Sequence, residues 1–210
     1  METQGRRQST NVEDARGRKV VAGTASLGLL VRFVGQRWGM KGLLVAAGLG
    51  LLGWQLGLLD PAALMGGDQV KEVEYQPTAE EQEQFNFVKV VLGSTEDVWS
   101  QEFQRIGRQY TPPALTVFRG QYPTGCGVGD ARMGPFYCPL DQKIYIDLGF
   151  YTALEQDFNA PGDFAQAYVI AHEVGHHVQK LLGISDQVAA MRDRPDYNQY
   201  SVRLELQADC

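Results

Sequence analysis

Residues 163–182 read DFAQAYVIAHEVGHHVQKLL, and this stretch decides the fold. Phe164, Tyr168, Ala171, Gly175 and Val178 recur at steps of three and four, the spacing of one α-helical face. Gly183 follows as a stop signal. Inside the helix, Ala171-His172-Glu173-Val174-Gly175-His176-His177 contains the pattern H-E-x-x-H. Positions i and i+4 stack on one face, so the imidazoles of His172 and His176 can grip one zinc ion. Glu173 projects beside them, where a carboxylate can take a proton from attacking water and pass it to a leaving amine. His177 lies about 100° round from His176. It is read as a helix-surface residue or a support for the site, with no metal role.

A catalytic zinc commonly takes three protein ligands and keeps one position open. No histidine remains in the chain for the third. Cys126 and Cys138 belong to a separate loop. The better candidate is in Glu205-Leu206-Gln207-Ala208-Asp209, where Glu205 and Asp209 share a helix face by the same i, i+4 rule. A solvated acidic face is the plain reading of that pair alone. With H-E-x-x-H twenty-nine residues upstream, Glu205 is expected as third ligand. Asp209, one turn on, is expected to accept the spare N–H of a zinc histidine, His172.

H-E-x-x-H followed by E-x-x-A-D resembles the gluzincin pattern. The finer resemblance is to the bacterial neutral zinc metallopeptidases of the YpfJ type. It rests on Asn11-Val12-Glu13-Asp14, Cys126-Gly127, Gly134-Pro135-Phe136-Tyr137-Cys138-Pro139, Ile144-Tyr145-Ile146-Asp147, residues 172–179 and residues 205–210. The resemblance implies a single-span bacterial membrane protein with a zincin-like domain outside. It also implies that Ile144–Asp147 is the sheet edge over the active-site helix, to which substrate backbone adds as a strand. Family members continue past the E-x-x-A-D-C segment, so a sequence stopping at Cys210 is read as C-terminally truncated, with the Glu205 helix short of packing.

Outward from the site, charge divides the chain. Residues 1–41 hold eight Lys/Arg against Glu2, Glu13 and Asp14, whereas residues 60–210 hold eleven against twenty-two Asp/Glu. So acidic a domain would repel a phosphate backbone, which excludes nucleic acid as a partner. Between them, Gly42 to Leu59 is eighteen residues without charge, long enough at roughly 27 Å for one transmembrane helix. Trp38 and Trp54 sit near its ends, and the basic flank predicts a cytoplasmic N-terminus with the acidic domain periplasmic or extracellular. Gly42, Ala46, Gly50, Gly53 and Gly57 line one face of such a helix and permit self-association. Outside the cytoplasm, Cys126 and Cys138 would pair as a disulfide; the alternative is two free buried thiols.

The expected organisation is a basic cytoplasmic tail at 1–41, mobile over 1–19, with an interfacial helix near 20–34. A transmembrane helix at 42–59 follows, then a linker at 60–77 and a zinc metallopeptidase domain at 78–210. Thr78 and Glu81 have capping-box spacing. The helix they open is expected to end at Gly93, and a second to run from Ser94 or Thr95 to Tyr110. Leu115–Phe118 reads as a strand, and residues 136–138 and 143–147 as a hairpin. A last helix is expected from about Asn198. The fold class is α+β, with a small, mostly antiparallel sheet. The leading function is zinc-dependent hydrolysis of peptide or protein substrates. The competing one is a membrane-tethered binding or scaffold domain with a structural or catalytically silent zinc. Tyr197 and Tyr200 are loose candidates for steadying the oxyanion.

Overall fold

A computed structural model of the chain describes residues 5–21, 55, 69–157, 160 and 162–210. The chain divides into two compact units, one made of Met1–Lys19 with Glu72–Cys210, the other of Val20–Lys71. The expected span over 42–59, its small-residue stripe and the expected interfacial helix lie outside the described residues, apart from Gln55 and the strand residues 20 and 21. Among the described residues no helix is long and apolar enough to cross a membrane.

The strands are β1 (Val12–Asp14), β2 (Arg18–Val21), β3 (Gln69–Glu72), β4 (Ala114–Phe118), β5 (Gln121–Thr124), β6 (Gly127–Asp130), β7 (Phe136–Cys138) and β8 (Lys143–Asp147). The α-helices are α1 (Ala79–Arg105), α2 (Gly149–Gln156), α3 (Asp163–Leu181), α4 (Ile184–Ala189) and α5 (Tyr197–Ala208). The first unit is built on a four-stranded sheet ordered β1-β4-β8-β7, while β2 with β3 and β5 with β6 form two-stranded sheets. The β1–β4 and β4–β8 ladders are parallel and the β7–β8 hairpin is antiparallel. The main sheet is therefore mixed rather than mostly antiparallel. Long connections permit parallel pairing, and α1 is one, carrying the chain over before β4 forms.

Period-two alternation in β4 and β8 explains two cores. Leu115 and Val117 stand in register with Ile144 and Ile146. They pack with Val88, Val91 and Leu92 of α1 and Ile170, Val174 and Val178 of α3. On the opposite face Phe118 and Tyr145 pack with Ala15 and Cys138. Pairing with β4 on one side and β7 on the other makes β8 an interior strand. The edge near α3 is β7, which corrects the expectation that Ile144–Asp147 is the edge.

Thr78 and Glu81 form both halves of the expected capping box. The helix does not stop at Gly93. It continues to Arg105, with Ser94 Oγ and Thr95 Oγ1 turned back to the carbonyls of Val90 and Leu92. Gly93 serves close approach instead. A Cβ there would meet the Arg7 carbonyl oxygen at 3.0 Å and the Ser9 nitrogen at 3.2 Å.

Residues 5–19 are not a mobile tail. Glu96, buried on α1, accepts hydrogen bonds from Arg7, Ser9 and Asn11. Arg16, only 2% exposed, binds both Asp14 oxygens and the Glu81 carbonyl, with its guanidinium 4.5 Å from the Phe85 ring centre. A buried arginine needs all of these partners to offset lost hydration. Residues 5–19 and 72–210 thus belong to one folded unit.

Candidate metal centre

Two helices carry the site. On α3 the i, i+4 spacing sets the His172 and His176 rings 4.7 Å apart, centre to centre. On α5, Glu205 Oε2 lies 3.4 Å from His172 Nε2 and 3.3 Å from His176 Nε2. Tetrahedral zinc with bonds near 2.0–2.2 Å separates its ligand atoms by about 3.3–3.5 Å. Both Glu205-to-histidine distances have that spacing, the three ligand atoms all lie within 4.8 Å of one another, and among the described residues they are the His/Cys/Asp/Glu group so gathered.

The helices reach this spacing because of Gly175. A Cβ there would meet the Ala208 carbonyl oxygen at 2.7 Å and its Cα at 2.9 Å. No larger residue lets the backbones of α3 and α5 come so close. Around the crossing, side chains orient the ligands. Asp209 Oδ1 lies 2.8 Å from His172 Nδ1. A carboxylate only accepts, so Nδ1 carries the hydrogen and Nε2 keeps its lone pair toward Glu205. The Tyr168 hydroxyl also donates to Asp209. Tyr168 and then His172 hold the Asp209 carboxyl below the usual carboxylate range. Gln179, one turn beyond His176, bonds His176 Nδ1 at 3.0 Å and the Leu204 carbonyl at 2.6 Å.

Glu173, next to His172 in sequence, is buried. Burial raises its pKa from 4.5 to about 7, against the lowering effects of His172 and a backbone hydrogen bond from Tyr137 of β7. A carboxyl poised near neutrality suits general acid–base work. His177 is buried rather than on the helix surface. Its Nε2 lies 2.8 Å from the Thr111 carbonyl, so that nitrogen donates and Nδ1 accepts from the Tyr137 hydroxyl at 3.1 Å. Burial holds His177 below the usual imidazole range. Both nitrogens are occupied by protein groups, which leaves none for a metal.

Cys126 and Cys138 form a disulfide that ties the β5–β6 hairpin to β7. Tyr200 carries Arg194 and Arg203 near its ring. Among the described hydrogen bonds neither Tyr197 nor Tyr200 reaches His172, His176 or Glu205. Sequence reasoning missed Tyr168, Gln179 and the two contacts of Tyr137. The first two were within reach of it, standing four residues before His172 and three after His176 on the ligand helix. Tyr137 joins only through sheet pairing.

The family described as "Putative neutral zinc metallopeptidase" matches residues 1–210. The "Uncharacterized protein YpfJ" of Escherichia coli K12 is 44% identical over 215 residues, covering 100% of this chain and 72% of that protein. The "Uncharacterized protein Rv2575" of Mycobacterium tuberculosis is 46% identical over 102 residues, 48% of this chain and 34% of that one. No solved structure matches the chain. With its whole length matched and its H-E-x-x-H and E-x-x-A-D helices meeting as such a site requires, the chain belongs to this neutral zinc metallopeptidase family.

Proposed function

We propose that the chain hydrolyses peptide bonds at a single zinc ion held by His172, His176 and Glu205. The observation that carries this reading is the triangle of His172 Nε2, His176 Nε2 and Glu205 Oε2, closed to 3.3 and 3.4 Å on Glu205. Bound there, zinc supplies a Lewis acid that polarises a carbonyl and makes water a stronger acid. The protein's own residues supply the rest. Asp209 holds the His172 ring. Glu173 accepts the proton of the attacking water and returns it to the leaving nitrogen. Its burial keeps bulk water from competing for that proton, and the Tyr137 N–H holds the carboxylate in place between transfers. The edge open to an extended peptide is β7, in the strand position next to Glu173.

A silent or structural zinc does not need a buried carboxyl beside the ligands. Replacing Glu173 with Gln tests the difference. Zinc content should stay at the wild-type level while peptide hydrolysis falls by about 10²–10⁴. Equal hydrolysis by E173Q would overturn the peptidase reading.

Membrane attachment through residues 42–59 belongs to this proposal as well, supported by eighteen uncharged residues between charged flanks. In this reading residues 5–19 and 72–210, which share one folded unit, stand on the same side of the membrane.

A further inference from the structure

Gln179 is 2% exposed and makes three hydrogen bonds, one to the ligand His176 and two to Leu204 and Gln207, which flank Glu205 on its helix. We infer that Gln179 is a positioning residue that fixes which nitrogen His176 offers and locks α3 to α5 at the ligand positions. The inference rests on the metal site proposed above.

The Leu204 carbonyl can only accept, so the nitrogen of the Gln179 amide faces it, at 2.6 Å. The second amide hydrogen points to Gln207 Oε1 at 3.1 Å. With both donors committed to α5, Oε1 is left facing His176 Nδ1 at 3.0 Å. An amide oxygen only accepts, so His176 Nδ1 carries its hydrogen and Nε2 keeps the lone pair directed at Glu205. One carbonyl of α5 thus dictates, through one side chain, the tautomer of a ligand on α3. The bond also fixes the residue before Glu205, so the carboxylate and the imidazole are held by the same group.

Few side chains can replace it. The role needs an acceptor for His176 and donors for Leu204 and Gln207 in one planar group. Glu has the length but only acceptors when ionised. Met has the length and neither. Asp209 performs the matching task for His172 from the other helix. Each zinc histidine is thereby tied to α5 by a different residue, and the two ligand helices cannot shift without breaking both ties.

The test uses the full chain with zinc and cobalt(II) alone as probes, in wild type, Q179M and Q179E. Affinity is read by chelator competition and ligand geometry by the visible absorption of bound cobalt. Circular dichroism of the metal-free proteins confirms that each variant is folded. Loss of partners that orient metal ligands typically weakens binding by about 10–100-fold. Both variants are expected to show a loss of that order and an altered cobalt spectrum. Q179E is the sharper case, and it stands alone if Q179M does not fold. It retains an acceptor for His176 but sets an acceptor against the Leu204 carbonyl, so a role confined to His176 would leave it unaffected. Wild-type affinity and spectrum in a folded Q179E or Q179M would overturn the inference while leaving the metal site standing. A wild-type chain that takes up neither ion would overturn the metal site and this inference with it.

Discussion

Gly175 is the position at which adding one methyl group should do most harm to the site without touching a ligand. In Gly175→Ala the new Cβ would stand 2.7 Å from the Ala208 carbonyl oxygen, 2.9 Å from its Cα and 3.2 Å from its carbonyl carbon. These are backbone atoms and cannot rotate away. Carbon–carbon contacts settle near 3.5–4.0 Å, so α5 must retreat by about half an ångström or more. Metal sites tolerate departures of about 0.2 Å in ligand distance. Glu205 is three residues from Ala208 on the same helix, so the retreat is passed to the ligand. Two stability effects oppose each other. Ala in place of a mid-helix Gly gains about 1 kcal/mol from propensity, and overpacking costs about 1–3 kcal/mol. Fold stability alone should therefore move little, and zinc affinity is the decisive readout. Chelator competition should show about tenfold weaker zinc binding or worse, a loss like that of an orienting partner. Zinc bound by G175A as tightly as by wild type would refute the claim that backbone approach at Gly175 sets the ligand triangle.

Three further outcomes follow from the same geometry. His177→Ala strands the Tyr137 hydroxyl and the Thr111 carbonyl. Denaturant unfolding should show a loss of about 1–3 kcal/mol, with zinc content unchanged; lost zinc would make His177 a ligand after all. The metal-free protein should lose stability as pH rises from about 4.5 to about 7. Glu173 titrates near 7 in the fold and near 4.5 unfolded, so in that window the unfolded state has released a proton that the folded state keeps. Thermal unfolding of E173Q should lack that slope, and an identical slope in the variant would assign it elsewhere. Single cysteines at Arg6 and Leu140, in a C210S background, should react with an impermeant maleimide from the same side of membrane vesicles. Reaction from opposite sides would separate β1 from its own sheet and refute the strand pairing.

The site helices were legible because their signal is local. H-E-x-x-H and E-x-x-A-D each place groups on one helix face by the i, i+4 rule, and only their meeting needed three dimensions. The Thr78–Glu81 cap and the 136–147 hairpin were legible for the same reason. What misled was context. Gly93 reads as a helix stop by propensity, yet its bare Cα is where residues 7–9 lie against the helix. Arg7, Arg16 and Arg18 read as a solvated basic flank, yet Arg16 is buried against Asp14 and Phe85. Charge counting cannot see such pairing. Strand direction was illegible too, since periodicity in β4 and β8 gives faces but not polarity, and the parallel ladders came from connections running through α1 and the β5–β6 hairpin. Gln179 was an ordinary polar residue until the Leu204 carbonyl was seen across from it.

The most direct test of the central claim is zinc content by elemental analysis after exhaustive dialysis, for the wild-type chain beside Glu205→Ala. The account predicts about one zinc per wild-type chain and little or none in a folded E205A. Equal zinc in both, or none in the folded wild type, would contradict a centre built on His172, His176 and Glu205.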